Sequence, residues 1–111
     1  MKYLLEKQKA IEHEIFRSGL LEIDVTNCDV VLAGRRIDLT FTEYQLLKYL
    51  AGHAGRVLTR ESILHAVWGP DYFGGDRTVD VHIQRLRGKI DDGQTGFIQT
   101  VRNLGYRFKK I

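Results

Sequence analysis

The chain has 111 residues, 43% of them apolar and 28% charged, with a formal net charge of +3. That is enough for one domain with a single core, and it excludes disorder as the default state and a second folded unit of any size. The lone Cys28 excludes an internal disulfide, Glu6, Lys7, Lys9, Glu12 and Glu14 break up any secretory run, and no stretch nears the roughly 20 apolar residues of a membrane span, so a cytoplasmic protein is predicted.

Residues 2–16 carry Leu4, Gln8, Ile11 and Ile15 at heptad spacing among Lys, Glu and Gln, which predicts an amphipathic helix ended by Ser18-Gly19. From Leu20 the period becomes two. Leu21, Ile23 and Val25 alternate with Glu22, Asp24 and Thr26 as in a strand with one wet face. Asn27-Cys28-Asp29 turns the chain into a strand over 30–32, and Ala33-Gly34 turns it again before Arg36-Ile37-Asp38-Leu39. Cys28 reads as an incidental turn residue. Such a small sheet needs helices over one face.

Those helices begin near Thr40, where Thr40 with Glu43 and Thr42 with Gln45 both have capping-box spacing and leave the start open. Tyr44, Leu47, Leu50 and Ala51 form the inner face of this first helix, and Gly52 and Gly55 weaken and end it. Thr59 caps a short second helix through about Val67, with Ile63, Leu64 and Val67 inward. The stretch 68–76 holds one proline and three glycines, so it is a loop; Trp68 is expected against the helices, with Tyr72 and Phe73 further along. In the third helix, Val79, Ile83, Leu86 and Ile90 share one stripe at 100° per residue, and Arg77, Val81, Gln84 and Arg85 gather opposite; it stops around Asp91-Asp92-Gly93. Residues 97–101 and 106–108 make a closing hairpin in which Asn103 and Gly105 supply the positive φ of the turn.

Charge is concentrated in the last third. Arg77, Arg85, Arg87 and Lys89 face the single acid Asp80, and after Asp92 every charged side chain is basic: Arg102, Arg107, Lys109 and Lys110. A basic helix face is commonly just a solvated one, with Asp80 pairing locally to Arg77 or Arg87. Duplex DNA is the partner that explains more, because the major groove admits one α-helix and presents base edges that side chains read. Arg77 and Arg85 suit guanine or phosphate, Gln84 adenine, and Val81 a thymine methyl; Thr78 and Arg87 suit backbone phosphate. Arg102, at the hairpin tip, adds a second basic contact. The four histidines lack zinc-site spacing, Asp71 and Asp76 alone are too few for a metal, and no catalytic constellation or phosphate loop is present. No enzyme activity, metal or cofactor is expected.

The blocks Leu39-Thr40-Phe41-Thr42-Glu43-Tyr44-Gln45-Leu46-Leu47, Gly55-Arg56-Val57-Leu58-Thr59-Arg60-Glu61, Ala66-Val67-Trp68-Gly69, 77–87 and 100–107 resemble, in order, the winged-helix effector domains of OmpR/PhoB-type two-component response regulators. The resemblance implies an α+β winged helix-turn-helix: an N-terminal antiparallel sheet, a three-helix core and a C-terminal hairpin wing. It also implies sequence-specific DNA binding that regulates transcription, with the third helix in the major groove and the wing in the adjacent minor groove. DNA contacts then fall on Arg77, Thr78, Val81, Gln84, Arg85, Arg87 and Arg102, binding is expected as a dimer on DNA, and loop Gly69 to Asp76 becomes a surface for RNA polymerase. Family members often have arginine at the position of Gln84, so its base preference does not carry over. Such regulators usually begin with a receiver domain, for which there is no room here; residues 1–18 therefore read as a linker or N-terminal amphipathic helix and 19–111 as the DNA-binding domain, either of a truncated longer regulator, the favoured reading, or of a stand-alone effector. The competing reading is a winged-helix protein-interaction module without specific DNA binding.

Overall fold

Alternating apolar residues build the first layer of the fold. The computed structural model describes residues 14–90 and 96–110. In it β1 (Ile15–Ser18), β2 (Leu21–Asp24), β3 (Asp29–Leu32) and β4 (Arg35–Ile37) form an antiparallel meander in the order β1-β2-β3-β4. Leu32 pairs with Arg35, which leaves a two-residue connection, and both of its residues, Ala33 (φ 52°) and Gly34 (φ 80°), take the left-handed conformation that a tight hairpin demands. Leu21, Ile23 and Val30 point into the core.

The N-terminal expectation needs correction at its end. Ile15 and Phe16 do not finish a helix; they belong to β1, where Ile15 pairs with Asp24 and Phe16 with Ile23. The unpaired outer edge of β2 is the reason: an alternating strand with a buried face recruits the preceding segment into its ladder. The sheet therefore starts before residue 19, where the domain boundary was expected. The rest of the expected N-terminal helix, and the stop at Asp91-Asp92-Gly93, lie outside the described residues.

Three helices follow and share one hydrophobic core with the sheet. Of the two capping boxes, the first forms: α1 (Phe41–Gly52) starts after Thr40, whose Oγ1 accepts from the Glu43 amide at 3.1 Å while Glu43 Oε1 accepts from the Thr40 amide at 2.9 Å. Its Leu46, Leu47 and Leu50 are fully buried. The α2 helix (Arg60–Trp68) is capped by Thr59, which accepts from the Ser62 amide, and buries Ile63 and Leu64. The α3 helix (Arg77–Ile90) buries Val79, Ile83, Leu86 and Ile90, the stripe read from the sequence.

The C-terminal hairpin pairs β6 (Ile98–Val101) with β7 (Gly105–Phe108), and Phe97 stacks on Phe108 beneath it. A strand not foreseen joins them. The two-residue β5 (Leu58–Thr59) pairs with β7 and makes a three-stranded sheet in the order β5-β7-β6, so the hairpin is stitched to the start of α2. Of the two turn residues expected to have positive φ, only Asn103 does (68°). Gly105 is glycine for another reason: a Cβ there would lie 2.0 Å from the Leu58 carbonyl oxygen.

Gly105→Ala should therefore push β5 and β7 apart and cost about 1–3 kcal/mol, as overpacking does. Gly88→Ala, inside α3 with open space around it, should instead stabilise by up to about 1 kcal/mol. Urea denaturation of the two variants checks both signs; equal effects would contradict the close-approach explanation.

Candidate nucleic-acid interface

The buried stripe fixes the rotation of α3, and rotation decides which side chains leave the protein. Val81 lies opposite the stripe and is 39% exposed, with Arg77, Gln84 and Arg85 exposed around it. A β-branched apolar residue gains little from water at that place. Among the described residues neither Arg77 nor Arg85 forms an ion pair. Trp68, Tyr72, Arg77, Thr78, Val81, His82 and Arg85 together line an open groove of about 400 Å³.

On the loop side of α3, the His82 ring stands edge-on to Trp68 at 5.0 Å between centroids, and Trp68 is half-buried, as expected of it. His82 Nδ1 lies 2.8 Å from the Thr78 carbonyl, which can only accept, so Nδ1 carries the proton. The Thr78 and Val79 amides bond to the Gly75 and Asp76 carbonyls, so what Thr78 offers outward is its hydroxyl.

The wing side is built from charge. Asp80 Oδ1 accepts from Arg60 Nε at 2.7 Å and from the Tyr106 hydroxyl at 2.6 Å. Local pairing of Asp80 with Arg77 or Arg87 is thus not what the structure contains; Arg77 contributes only a longer-range attraction. Arg87 donates through Nε and Nη2 to the Ile98 carbonyl at 3.2 and 2.9 Å, and through Nη2 to Thr100 Oγ1 at 2.7 Å. Both Arg60 and Arg87 sit over the Tyr106 ring, 5.3 and 5.4 Å from its centroid. Arg102 is exposed in the wing turn beside Asn103 and Leu104.

Lys89 is spent differently. Its Nζ donates at 2.6 Å to Glu43 Oε1, the carboxylate of the α1 capping box, which is only 3% exposed. Two of the four basic residues counted on α3, Arg87 and Lys89, are therefore engaged within the domain. Sequence reading placed the outward face correctly but missed Arg60, Asp80 and Tyr106 as supports for it. The one available signal was Asp80, a lone acid in a basic helix. Among the described residues there is no group of three or more His, Cys, Asp or Glu placed to hold a metal ion, and no helix is long and apolar enough to cross a membrane.

The family model described as "Transcriptional regulatory protein, C terminal" matches residues 34–108. The sensory transduction protein RegX3 of Mycobacterium leprae is 43% identical over 101 residues, 89% of this chain and 51% of that protein. RegX3 of Mycobacterium tuberculosis is 42% identical over 97 residues, 86% of this chain and 43% of that protein. The chain thus spans about half the length of the curated relatives it matches. Among solved structures, the response regulator DrrB of Thermotoga maritima, an OmpR/PhoB homologue, superposes with a TM-score of 0.81 at 35% identity, covering 98% of this chain and 49% of that one. The DNA-binding domain of Klebsiella pneumoniae RstA, solved in complex with the RstA box, superposes with a TM-score of 0.79 at 41% identity, covering 87% of this chain and 98% of that one.

The two carboxylates that hold α3 set its acid sensitivity. Burial alone would raise the Glu43 pKa, but the Lys89 hydrogen bond and the Thr40 amide outweigh it and hold the group below its ordinary 4.5. Burial likewise opposes ionisation of Asp80, and hydrogen bonds from Tyr106 and Arg60 bring it below 3.8. A carboxylate lowered in the folded state stabilises fully above its unfolded pKa and loses that contribution as pH falls through the folded one. Lys89→Met should therefore cost about 1–3 kcal/mol at neutral pH by depriving a buried acceptor of its partner. Its deficit against the unsubstituted protein should shrink as pH drops below 4.5. Thermal unfolding at a series of pH values measures this; a deficit independent of pH would remove Glu43 as its cause.

Proposed function

The chain belongs to the family of transcriptional regulatory protein C-terminal domains of the OmpR/PhoB type, and from that membership we propose that it recognises duplex DNA by sequence as the effector domain of a response regulator. The observation that carries the reading is the outward face of α3, where Val81, Gln84 and Arg85 stand exposed between a wing and an aromatic loop. A helix presented in this way fits the major groove, and Arg102, exposed in the wing turn, follows the adjacent minor groove in this reading. Arg85 and Arg77 address guanine or phosphate, Gln84 pairs with adenine, and Val81 meets a thymine methyl. The Thr78 hydroxyl takes a phosphate. For Arg87, phosphate contact is secondary, because its guanidinium already holds the wing.

This is a regulator's role rather than an enzyme's, exercised in the cytoplasm. One module makes few base contacts, so two copies on a repeated site supply the specificity by avidity. The loop Gly69 to Asp76 serves as a protein-contact surface, with RNA polymerase as partner; its Phe73 is 99% exposed and Tyr72 38%, an apolar pair that contact with duplex DNA does not require.

Selection of duplexes from a random pool, followed by anisotropy titration of the recovered sequence, tests the reading. Affinity should fall steeply with salt, as counterion release requires. Arg85→Ala should lose about 1–3 kcal/mol on the selected duplex and relax choice at one base position, with little effect on random DNA. No preference for any duplex over random sequence would overturn the proposal in favour of a protein-interaction module.

A further inference from the structure

We propose that Tyr106 is a positioning residue for DNA recognition: its hydroxyl locks the wing to α3 through Asp80, so that Arg102 and the groove-reading face engage DNA as one rigid element. The inference rests on the DNA-binding reading and goes beyond it, since Tyr106 itself is 5% exposed and is offered no contact with DNA.

Tyr106 lies on β7, the middle strand of the second sheet, paired with Leu58 on one side and Thr100 on the other. Its hydroxyl reaches Asp80, which immediately precedes Val81 and lies one helical turn before Gln84. The same carboxylate oxygen holds Arg60 of α2, and Arg87 ties α3 to β6 at Ile98 and Thr100. One carboxylate and one phenol thus join both helices of the helix-turn-helix to the wing.

Lever geometry makes this joint matter. Arg102 is four residues before Tyr106, across the turn; because Thr100 pairs with Tyr106 and Val101 with Gly105, it stands two residues further out along the hairpin, about 7 Å, and a hinge rotation of about 10° moves its backbone by roughly 1 Å. Hydrogen bonds to base edges or phosphates are lost over displacements no larger than this. The Arg60 and Arg87 guanidiniums over the ring hold the phenol sideways, and the hydroxyl fixes its remaining freedom.

Tyr106→Phe removes the hydroxyl alone. The ring keeps its packing, and Asp80 keeps Arg60, so the variant folds; circular dichroism should show native helix content with a small fall in Tm. Against the selected duplex its affinity should drop roughly threefold to tenfold, less than the full net worth of one charge-assisted hydrogen bond. The deciding readout is a double-mutant cycle with Arg102→Ala. If Tyr106 positions the wing, the Arg102→Ala loss should shrink by at least about threefold in the Tyr106→Phe background, because a misplaced wing has less to lose. Additive losses, or an affinity unchanged by Tyr106→Phe, would overturn the proposal and leave Tyr106 a packing residue. The starting protein separates this from failure of the underlying reading: if it does not prefer the selected duplex to random DNA, specific recognition itself fails and the positioning role falls with it.

Discussion

Four buried side chains, Val79, Ile83, Leu86 and Ile90, set what this domain can do. They are no more than 1% exposed, and each contributes on the order of 1.5–3 kcal/mol on burial. Because successive residues on a helix are about 100° apart, docking this stripe also fixes the phase of α3. A slip of one residue would bury Val81's neighbours and turn a support toward solvent. The apolar face thus determines the chemistry of the opposite one, before any contact with a partner is made.

Phase alone leaves a cylinder free to tilt. Tilt is restrained on two flanks by charged groups: Lys89 reaches back to the buried Glu43 on α1, while Asp80 and Arg87 reach the wing and Arg60. The basic residues of α3 therefore divide by task. Arg87 and Lys89 hold the helix in place, and Arg77 and Arg85 remain outward. The positive surface left outward is consequently smaller than the composition implies, and on the proposed reading more of the discrimination rests on geometry, with Val81 and Gln84 between the two arginines.

Much of this was legible in the residue order because local physics decided it. The period-two pattern at Leu21 and Ile23, the capping threonines Thr40 and Thr59, and the period-3.6 stripe of α3 each express a local rule that the tertiary fold does not oppose. Failures came where a neighbouring strand, rather than the local pattern, decides the structure. Ile15 and Phe16 have helix-compatible spacing and become a strand because β2 offers them an edge. Leu58 and Thr59 are too short a strand to recognise without β7 beside them. Gly105 looked like a turn glycine and is a close-approach glycine, which only the position of the Leu58 carbonyl reveals. The site divides in the same way. Its outward residues follow from helical phase, whereas the Asp80–Tyr106–Arg60 support joins positions 20 and 26 residues apart and leaves no periodic trace.

The central claim is that one surface, made by the exposed side of α3 together with the wing tip, carries recognition. Amide and arginine side-chain NMR spectra, recorded as the selected duplex is titrated into labelled protein, locate that surface directly. The account predicts the largest shifts over residues 77–85 and 102–104, with the meander β1 to β4 nearly unmoved. Shifts centred on that meander, with α3 unchanged, would contradict it.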